Sequence, residues 1–232
     1  MTTTAPERSL KNAARVVGFT YLFSMATAMF SEFYIRSHLI DYDNAAATAH
    51  NIVAHERLFR LGIAFDLLVV MSDVALITAL YVILKTVNRN LALVAVFWRL
   101  METSIHTVMT LDSFSALRLL SGARYLQVIE TDRLQALARL AIGGQGAAFD
   151  VSFLFLGIGS ATFGYLWFKS NYIPRALAGW GVFASVVVAT CNFAFIVFPG
   201  LSEMLSPACF IPIFIFEVAM GFLLLFRGLS LS

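Results

Sequence analysis

Apolar residues occur in six long runs, and polar residues are concentrated in the segments between them. Each run holds about 20 mostly apolar residues, the length that an α-helix needs to cross a bilayer. The runs are Val16–Ile35, Leu61–Leu84, Leu91–Leu111, Gly146–Phe168, Ala176–Phe198 and Pro207–Phe226. Barrel strands would be about ten residues long and would alternate in polarity. Because backbone groups in lipid must pair within their own helix, the pattern predicts an all-α, polytopic membrane protein, a six-helix bundle.

Composition agrees with a membrane environment. The 232 residues are 59% hydrophobic and 13% charged, with a mean hydropathy of +0.81. An average soluble domain is about 25% charged, so these few charges cannot cover a water-facing surface. A net charge of +2 is too small to indicate a nucleic-acid partner. We expect a single transmembrane domain over residues 1–232, with the lipid bilayer as its main partner. The oligomeric state is left open.

Two of the polar segments are long. The first follows the first run and carries His38, His50 and His55. The second, Ser113–Gln145, is expected to be an extracytoplasmic loop with an amphipathic stretch, because leucines recur in it at helical spacing. An alternative is that this stretch is an early extension of the fourth helix.

Basic residues indicate the orientation. All three lysines, Lys11, Lys85 and Lys169, fall on the same side of the predicted membrane as both termini. Cytoplasmic loops favour Lys and Arg, so we place both termini in the cytoplasm. The N-terminal segment also has the charged and apolar parts of a cleavable signal, followed by Ala26-Thr27-Ala28. Because the apolar run continues through Met29 and Phe30, we expect it to be kept as the first helix.

Several polar groups lie inside the predicted spans, where each ionisable side chain costs about 2.5–3.5 kcal/mol on insertion scales. Their depth follows from a rise of about 1.5 Å per helical residue. An outer layer, about 20–28 Å from the cytoplasmic ends, holds Glu32, Asp66, Glu102, His106, Asp150 and Asn192. A second layer near the midplane holds Asp73, Arg99 and Glu217. We therefore predict one outward-opening polar cavity that contains these groups.

Helical spacing supports that prediction. Arg99, Glu102 and His106 are at positions i, i+3 and i+7, which lie on one face of a helix. Asp66 and Asp73 are seven residues apart and also share a face. A buried guanidinium needs carboxylate partners, so Arg99 is expected to pair with Asp73, Glu217 or both.

Glu102 and His106 are the candidate catalytic residues. A carboxylate one turn from an imidazole suits acid–base chemistry, and it also suits metal ligation. Together with Asp66 and Asp150, they form a candidate site for a divalent metal such as zinc, iron or manganese. The structural alternatives are a Glu–His hydrogen bond in the core and, for the whole cluster, ion pairs that only fix helix register.

Two further features lie near the predicted outer face. Glu56 and Arg60, at i, i+4, are interpreted as a local ion pair or, with Asn51, as a gate over the cavity. Cys191 and Cys209 fall at similar depth on consecutive helices. They are expected either to pack as small apolar residues or to form a disulfide.

Three segments resemble a bacterial membrane family known as domain of unknown function 4386. They are AAATAHNIVAHERLFRLGIAFDL at Ala45–Leu67, ALYVILKTVNRNLALVAVFWRL at Ala79–Leu100 and FLGIGSATFGYLWFKSNYIPRALAG at Phe155–Gly179. The matching polar positions in the first segment are Asn51, Glu56, Arg60 and Asp66. The resemblance implies a multi-pass protein of the bacterial inner membrane that keeps its first helix. It implies no activity.

The sequence is compatible with three functions. The leading hypothesis is an intramembrane site that binds or modifies a small or lipid-like molecule, with or without a metal. Its basis is the scarcity of ionisable groups in the cytoplasmic half of the spans, which seals the site on that side. The second is a proton- or ion-coupled transporter of a small solute. The third is a structural membrane protein without a site. Whether the chain is an enzyme is left open.

Overall fold

A computed structural model describes residues 5–230, with side chains from residue 7 onward. Every regular element in this part of the chain is helical, and it contains no strand. The all-α fold class predicted from the apolar runs is therefore confirmed.

Eight α-helices and two π-helical turns make up the described chain. The helices are α1 (Ala5–Phe30), α2 (Ser37–Leu39), α3 (Ala45–Ala54), α4 (Glu56–Leu84), α5 (Arg89–Leu119), α6 (Thr131–Ser170), α7 (Arg175–Val197) and α8 (Gly200–Phe222). One π-helical turn, Ser31–Arg36, joins α1 to α2, and the other, Leu223–Arg227, extends α8. A single 3-10 turn lies at Arg124–Leu126.

Within the described residues, six helical segments are long and apolar enough to cross a membrane, as predicted. They are Glu7–Leu39, Glu56–Leu84, Arg89–Leu119, Thr131–Ser170, Arg175–Val197 and Gly200–Arg227. Most extend beyond the predicted runs, because polar residues at the ends of an apolar run still continue the helix. Large apolar side chains such as Phe19, Phe97 and Phe183 are exposed on them, which is the surface that lipid requires.

The segment Ser113–Gln145 differs from the predicted loop. Its first residues continue α5 to Leu119, and its last fifteen belong to α6, which begins at Thr131. The leucines at helical spacing are thus the first turns of α6, which is the alternative interpretation of that pattern. With 40 residues, α6 is about 60 Å long, roughly twice the thickness of a bilayer's hydrocarbon core.

The described chain forms two compact units. Unit 1 comprises residues 1–24, 71–104 and 150–232, and unit 2 comprises residues 25–70 and 105–149. The core of unit 1 includes Leu80, Ile83, Trp167 and Met220. The core of unit 2 is smaller and includes Ile52.

Small residues allow close helix packing in unit 1. A side chain at Gly157 would lie 2.7 Å from the Ser185 carbonyl oxygen and 2.7 Å from the Ala189 backbone nitrogen. The backbones of α6 and α7 can approach so closely only because position 157 has no side chain. A side chain at Gly18 on α1 would likewise lie 2.8 Å from the Gly221 carbonyl oxygen on α8, so this position also allows close packing.

We predict that Gly157→Ala lowers the free energy of unfolding by about 1–3 kcal/mol, because the added methyl group meets backbone atoms that cannot move aside. Thermal unfolding in detergent measures the effect. Gly179→Ala on α7 is the matched control, since the nearest atom to the new methyl group would be 4.0 Å away. Equal unfolding temperatures for the two variants would contradict the packing described for α6 and α7.

Candidate functional site

Arg99 is the centre of a buried polar cluster in unit 1. The Arg99 side chain is almost inaccessible, with 4% of the residue exposed, and Glu102 is 1% exposed. The Nε atom of Arg99 lies 3.6 Å from Oε2 of Glu102, one turn further along α5. On the other side, Nη1 of Arg99 donates a hydrogen bond of 3.5 Å to the hydroxyl oxygen of Ser160 on α6.

Gly159 makes room for the arginine. A Cβ atom at position 159 would lie 2.8 Å from Cγ of Arg99 and 3.2 Å from the Ala95 carbonyl oxygen. The aliphatic part of Arg99 therefore lies directly against the backbone of α6. This places the guanidinium beside Ser160, the next residue of that helix.

Acidic and phenolic side chains from three more segments complete the cluster. Asp73 on α4, Glu217 on α8 and Tyr21 on α1 all interact electrostatically with Arg99. A carboxylate oxygen of Asp73 lies within 4.8 Å of one on Glu102. We call this set the Arg99 cluster; its members are Tyr21, Asp73, Arg99, Glu102, Ser160 and Glu217.

The Arg99 cluster has more acids than bases. One guanidinium faces the carboxyl groups of Asp73, Glu102 and Glu217. If all three were ionised, the group would carry a net charge of about −2, which is costly in a low-dielectric interior. The arrangement is therefore suited to hold protons or a cation.

A second polar cluster lies in unit 2 and is centred on Arg36. Its Nη2 atom donates to Oδ2 of Asp66 at 2.9 Å, and its Nη1 atom donates to Oε1 of Gln145 at 2.7 Å. The hydroxyl of Ser31 donates to the other oxygen of Asp66 at 3.2 Å. Glu32 is 3.7 Å from Nε of Arg36 and more exposed than the rest.

Gln145 extends this cluster to α5. Its Nε2 atom donates to the hydroxyl oxygen of Ser113 at 2.8 Å and to the carbonyl oxygen of Met109 at 2.9 Å. The π-helical turn that ends at Arg36 rotates the following residues relative to an α-helix, and such turns occur often at functional sites. We call this set the Arg36 network; its members are Ser31, Glu32, Arg36, Asp66, Ser113 and Gln145.

The predicted site residues are divided between the two units. Unit 1 contains Asp73, Arg99, Glu102, Asp150, Asn192 and Glu217, and unit 2 contains Glu32, Asn51, Glu56, Arg60, Asp66 and His106. Arg99 was expected to pair with Asp73, Glu217 or both. Both carboxyl groups interact electrostatically with it, and Glu102, on the same helix, lies 3.6 Å from its Nε atom.

The candidate metal ligands have different surroundings. Asp66 uses both of its oxygens to accept hydrogen bonds, from Arg36 and Ser31. Asp150 is partly buried on α6, and the ring of His106 lies 6.5 Å from that of Phe149. Glu102 and His106 are one turn apart on α5, as their spacing predicts.

The candidate gate residues lie at the junction of α3 and α4. Arg60 donates from Nε to Oε1 of Glu56 at 2.7 Å, and both side chains are about half exposed. The carbonyl oxygen of Asn51 accepts a hydrogen bond from the backbone of His55, which ends α3. Glu56 and Arg60 thus form the local ion pair that was one of the two interpretations of their spacing.

Sequence reasoning did not select Tyr21, Ser160, Arg36 or Gln145. Arg36 lies just after the end of the first apolar run, which predicts a loop there, although its position four residues after Glu32 is a recognisable pairing signal. Gln145 immediately precedes the predicted fourth run, so it was assigned to a loop. Tyr21 and Ser160 carry no signal in a single sequence, because such residues are common in apolar helices.

Cys191 and Cys209 form a disulfide that joins α7 to α8, with a Cα–Cα distance of 6.3 Å. The sequence left open whether these cysteines pack as small apolar residues or bond. The two cysteines are 18 residues apart in sequence, and the bond between them encloses the turn that joins the two helices.

A family model described as domain of unknown function (DUF4386) matches residues 16–228. No curated protein and no solved structure matches the chain.

We predict that Arg36→Met lowers the free energy of unfolding by about 1–3 kcal/mol, because Asp66 and Gln145 lose a charged partner in a partly buried setting. Arg60→Met is the matched control. It breaks an exposed pair on α4 and should cost no more than about 0.5 kcal/mol. Thermal unfolding in the same detergent measures both, and a loss for Arg36→Met no larger than for Arg60→Met would contradict a stabilising role for the network.

Proposed function

The chain belongs to the family described as domain of unknown function 4386, and we propose that it is a membrane protein whose Arg99 cluster binds and releases protons to couple them to a small solute. The excess of carboxyl groups in the Arg99 cluster carries this proposal. Carboxylates buried in membrane-spanning helices commonly serve as proton relays in pumps and transporters.

Protons are the simplest occupants of such a cluster. Asp73 and Glu102 have oxygens within 4.8 Å of each other, so a proton on either group removes their mutual repulsion. The positive charge of Arg99, whose Nε atom lies 3.6 Å from Glu102, balances one of the remaining negative charges of the cluster. Because the cluster lies among buried residues, loss or gain of a proton changes the local charge by a full unit in an apolar setting. Such a change alters the electrostatic free energy of the helices that surround the cluster.

A divalent metal is the competing occupant. The proposed ligands Glu102, His106, Asp66 and Asp150 would suit zinc, iron or manganese. The hydrogen bonds that Asp66 accepts from Arg36 and Ser31 weigh against it as a ligand, because they already occupy both of its oxygens.

Binding or modification of a small or lipid-like molecule is the second candidate function. Transporter sites are typically built on helices interrupted at the midplane, whereas α4, α5 and α6 run without interruption. This continuity favours a fixed binding site, in which Glu102 and His106 would serve as acid and base. Flux of solute into proteoliposomes under a pH gradient distinguishes the two functions.

We place the protein in a bacterial inner membrane with both termini in the cytoplasm. The disulfide between Cys191 and Cys209 supports this orientation, because disulfides persist in the periplasm and are rare in the cytosol. Cys191 lies in the half of α7 nearer to α8, whereas Lys169 precedes the other end of α7.

We predict that Asp43→Cys is labelled by a membrane-impermeant maleimide in intact cells, whereas Asn90→Cys is labelled only after permeabilisation. Both positions are exposed, and one membrane span separates them. The unmodified protein is the control, since its two cysteines are bonded to each other. The reverse labelling pattern would contradict the proposed orientation.

We predict that Asp73→Asn, Glu102→Gln and Glu217→Gln each reduce the number of protons that the protein takes up when the pH is lowered. Infrared difference spectroscopy after a pH jump, on protein in lipid nanodiscs, detects protonated carboxyl groups directly. Glu56→Gln is the matched control, because Glu56 forms an exposed ion pair.

Unchanged carboxyl bands in all three cluster variants would refute proton binding at this site. The same samples, titrated with Zn²⁺ and Mn²⁺, test the competing occupant. Stoichiometric metal binding that is lost in Glu102→Gln would replace the proton proposal by a metal site.

A further inference from the structure

A cavity of about 170 Å³ lies in unit 1, between the turn that joins α6 to α7 and the end of α8. The α6 span ends at Ser170, the α7 span begins at Arg175 and the α8 span ends at Arg227. The cavity is therefore at the level where these spans meet the polar headgroups of a bilayer. Its volume is that of about six water molecules in the liquid, which is enough for one phosphate group.

The wall of the cavity is held by contacts between three chain segments. Asn171 ends α6 with a φ of 55°, and Gly228 follows the π-helical turn of α8 with a φ of 74°, so the chain reverses direction at both places. The backbone nitrogen of Ser230 donates a hydrogen bond of 2.9 Å to the carbonyl oxygen of Tyr172. The hydroxyl of Tyr172 lies 3.2 Å from that of Thr86, in the turn after α4. These contacts join the two reversals into one folded structure.

The lining combines an apolar floor with polar groups at the mouth. Ile173 is 3% exposed, and Leu223 is half-buried. Asn171, Arg227 and Ser230 also line the cavity, and all three are exposed. Leu223 and Arg227 are the first and last residues of the π-helical turn, and both face the cavity. A ligand that enters from the surface therefore meets a guanidinium and a hydroxyl group.

The segments that form the wall carry only positive charge. Residues 151–202 and 218–230 contain Lys169, Arg175 and Arg227 and no acidic residue. The Nε atom of Arg175 donates to Oδ1 of Asn171 at 2.9 Å, so a second guanidinium is held beside the lining. The cavity therefore favours an anion, and these segments offer no carboxylate to pair with the ammonium group of a zwitterionic ligand.

An apolar surface adjoins the mouth of the cavity. Phe222 and Phe226, each one residue before a lining residue of α8, stack with their ring centroids 6.1 Å apart. Phe222 is 51% exposed and Phe226 is 78% exposed. An anion that carries hydrocarbon chains can place its charge in the cavity and its chains along this aromatic pair. A soluble phosphate compound gains nothing from the aromatic surface.

We propose that this cavity, which we call the Arg227 cavity, binds the phosphodiester group of an anionic phospholipid such as phosphatidylglycerol. Arg227 pairs with the phosphate oxygens and the Ser230 hydroxyl donates to them, while Arg175 adds positive charge at the mouth. Arginine suits phosphate because its planar fork donates two parallel hydrogen bonds, and basic pockets between membrane helices bind acidic headgroups. Arg227 lies ten residues, or about 15 Å, along α8 from Glu217 of the Arg99 cluster, so this site does not depend on proton binding there.

The test is native mass spectrometry of the protein in detergent, which counts bound lipids during titration with phosphatidylglycerol or with zwitterionic phosphatidylcholine. The unmodified protein should bind phosphatidylglycerol at least about fivefold more tightly than phosphatidylcholine. Arg227→Gln should remove that preference, because the charge that faces the phosphate is lost. Ser230→Phe should remove it as well, since the new ring fills the cavity without a change of charge. Arg89→Gln is the matched control; it neutralises an exposed arginine outside the lining and should alter the affinity by no more than about twofold.

Equal affinity for the two lipids would overturn the proposal. Equal losses in Arg227→Gln and Arg89→Gln, with none in Ser230→Phe, would also overturn it, because they would indicate a diffuse positive surface. Binding that survives in Ser230→Phe would refute the cavity even if Arg227→Gln failed to fold. Inorganic phosphate and glycerol 3-phosphate test the source of the anion. Displacement of phosphatidylglycerol by either compound at equal concentration would overturn the lipid as the ligand.

Discussion

The burial of Arg99 is the constraint on which the organisation of unit 1 depends. A guanidinium that is 4% exposed must be matched by acceptors with good geometry, because an unpaired buried charge costs several kcal/mol. Glu102 and Ser160 supply two of those contacts directly. The need to place α4, α5, α6 and α8 around one cation restricts their register as strongly as apolar packing does.

The Arg36 network and the Arg99 cluster differ in how their charges are balanced. In the Arg36 network each carboxylate or amide finds a partner, and the hydrogen bonds are between 2.7 and 3.2 Å. Such a network is suited to fixing helix positions. The Arg99 cluster has three carboxyl groups for one guanidinium, so it has more potential negative than positive charges. This imbalance, rather than the mere presence of buried charge, distinguishes a candidate functional site from a structural one.

Sequence patterns located the spans, and depth along each helix placed the polar residues at two levels. Depth arithmetic placed Asp73, Arg99 and Glu217 at one level, and the structure brings them into one cluster. It also placed Asp66 at the level of Glu102, but depth along a helix does not identify the partner of a side chain. The partner of Asp66 is Arg36, which lies just after the end of the first apolar run.

The sequence by itself determined the membrane environment, the fold class and the family, because each depends on the number and spacing of apolar residues along one chain. It also determined that Arg99 and Glu102 share a helix face, since α-helical geometry is local. Only the tertiary structure decided the partners of Arg99 and Arg36, the bond between the two cysteines and the cavity beside Arg227. These features depend on how helices distant in sequence face one another. Gly157 and Gly159 affect that packing, because the absence of a side chain at each position lets neighbouring helices approach closely.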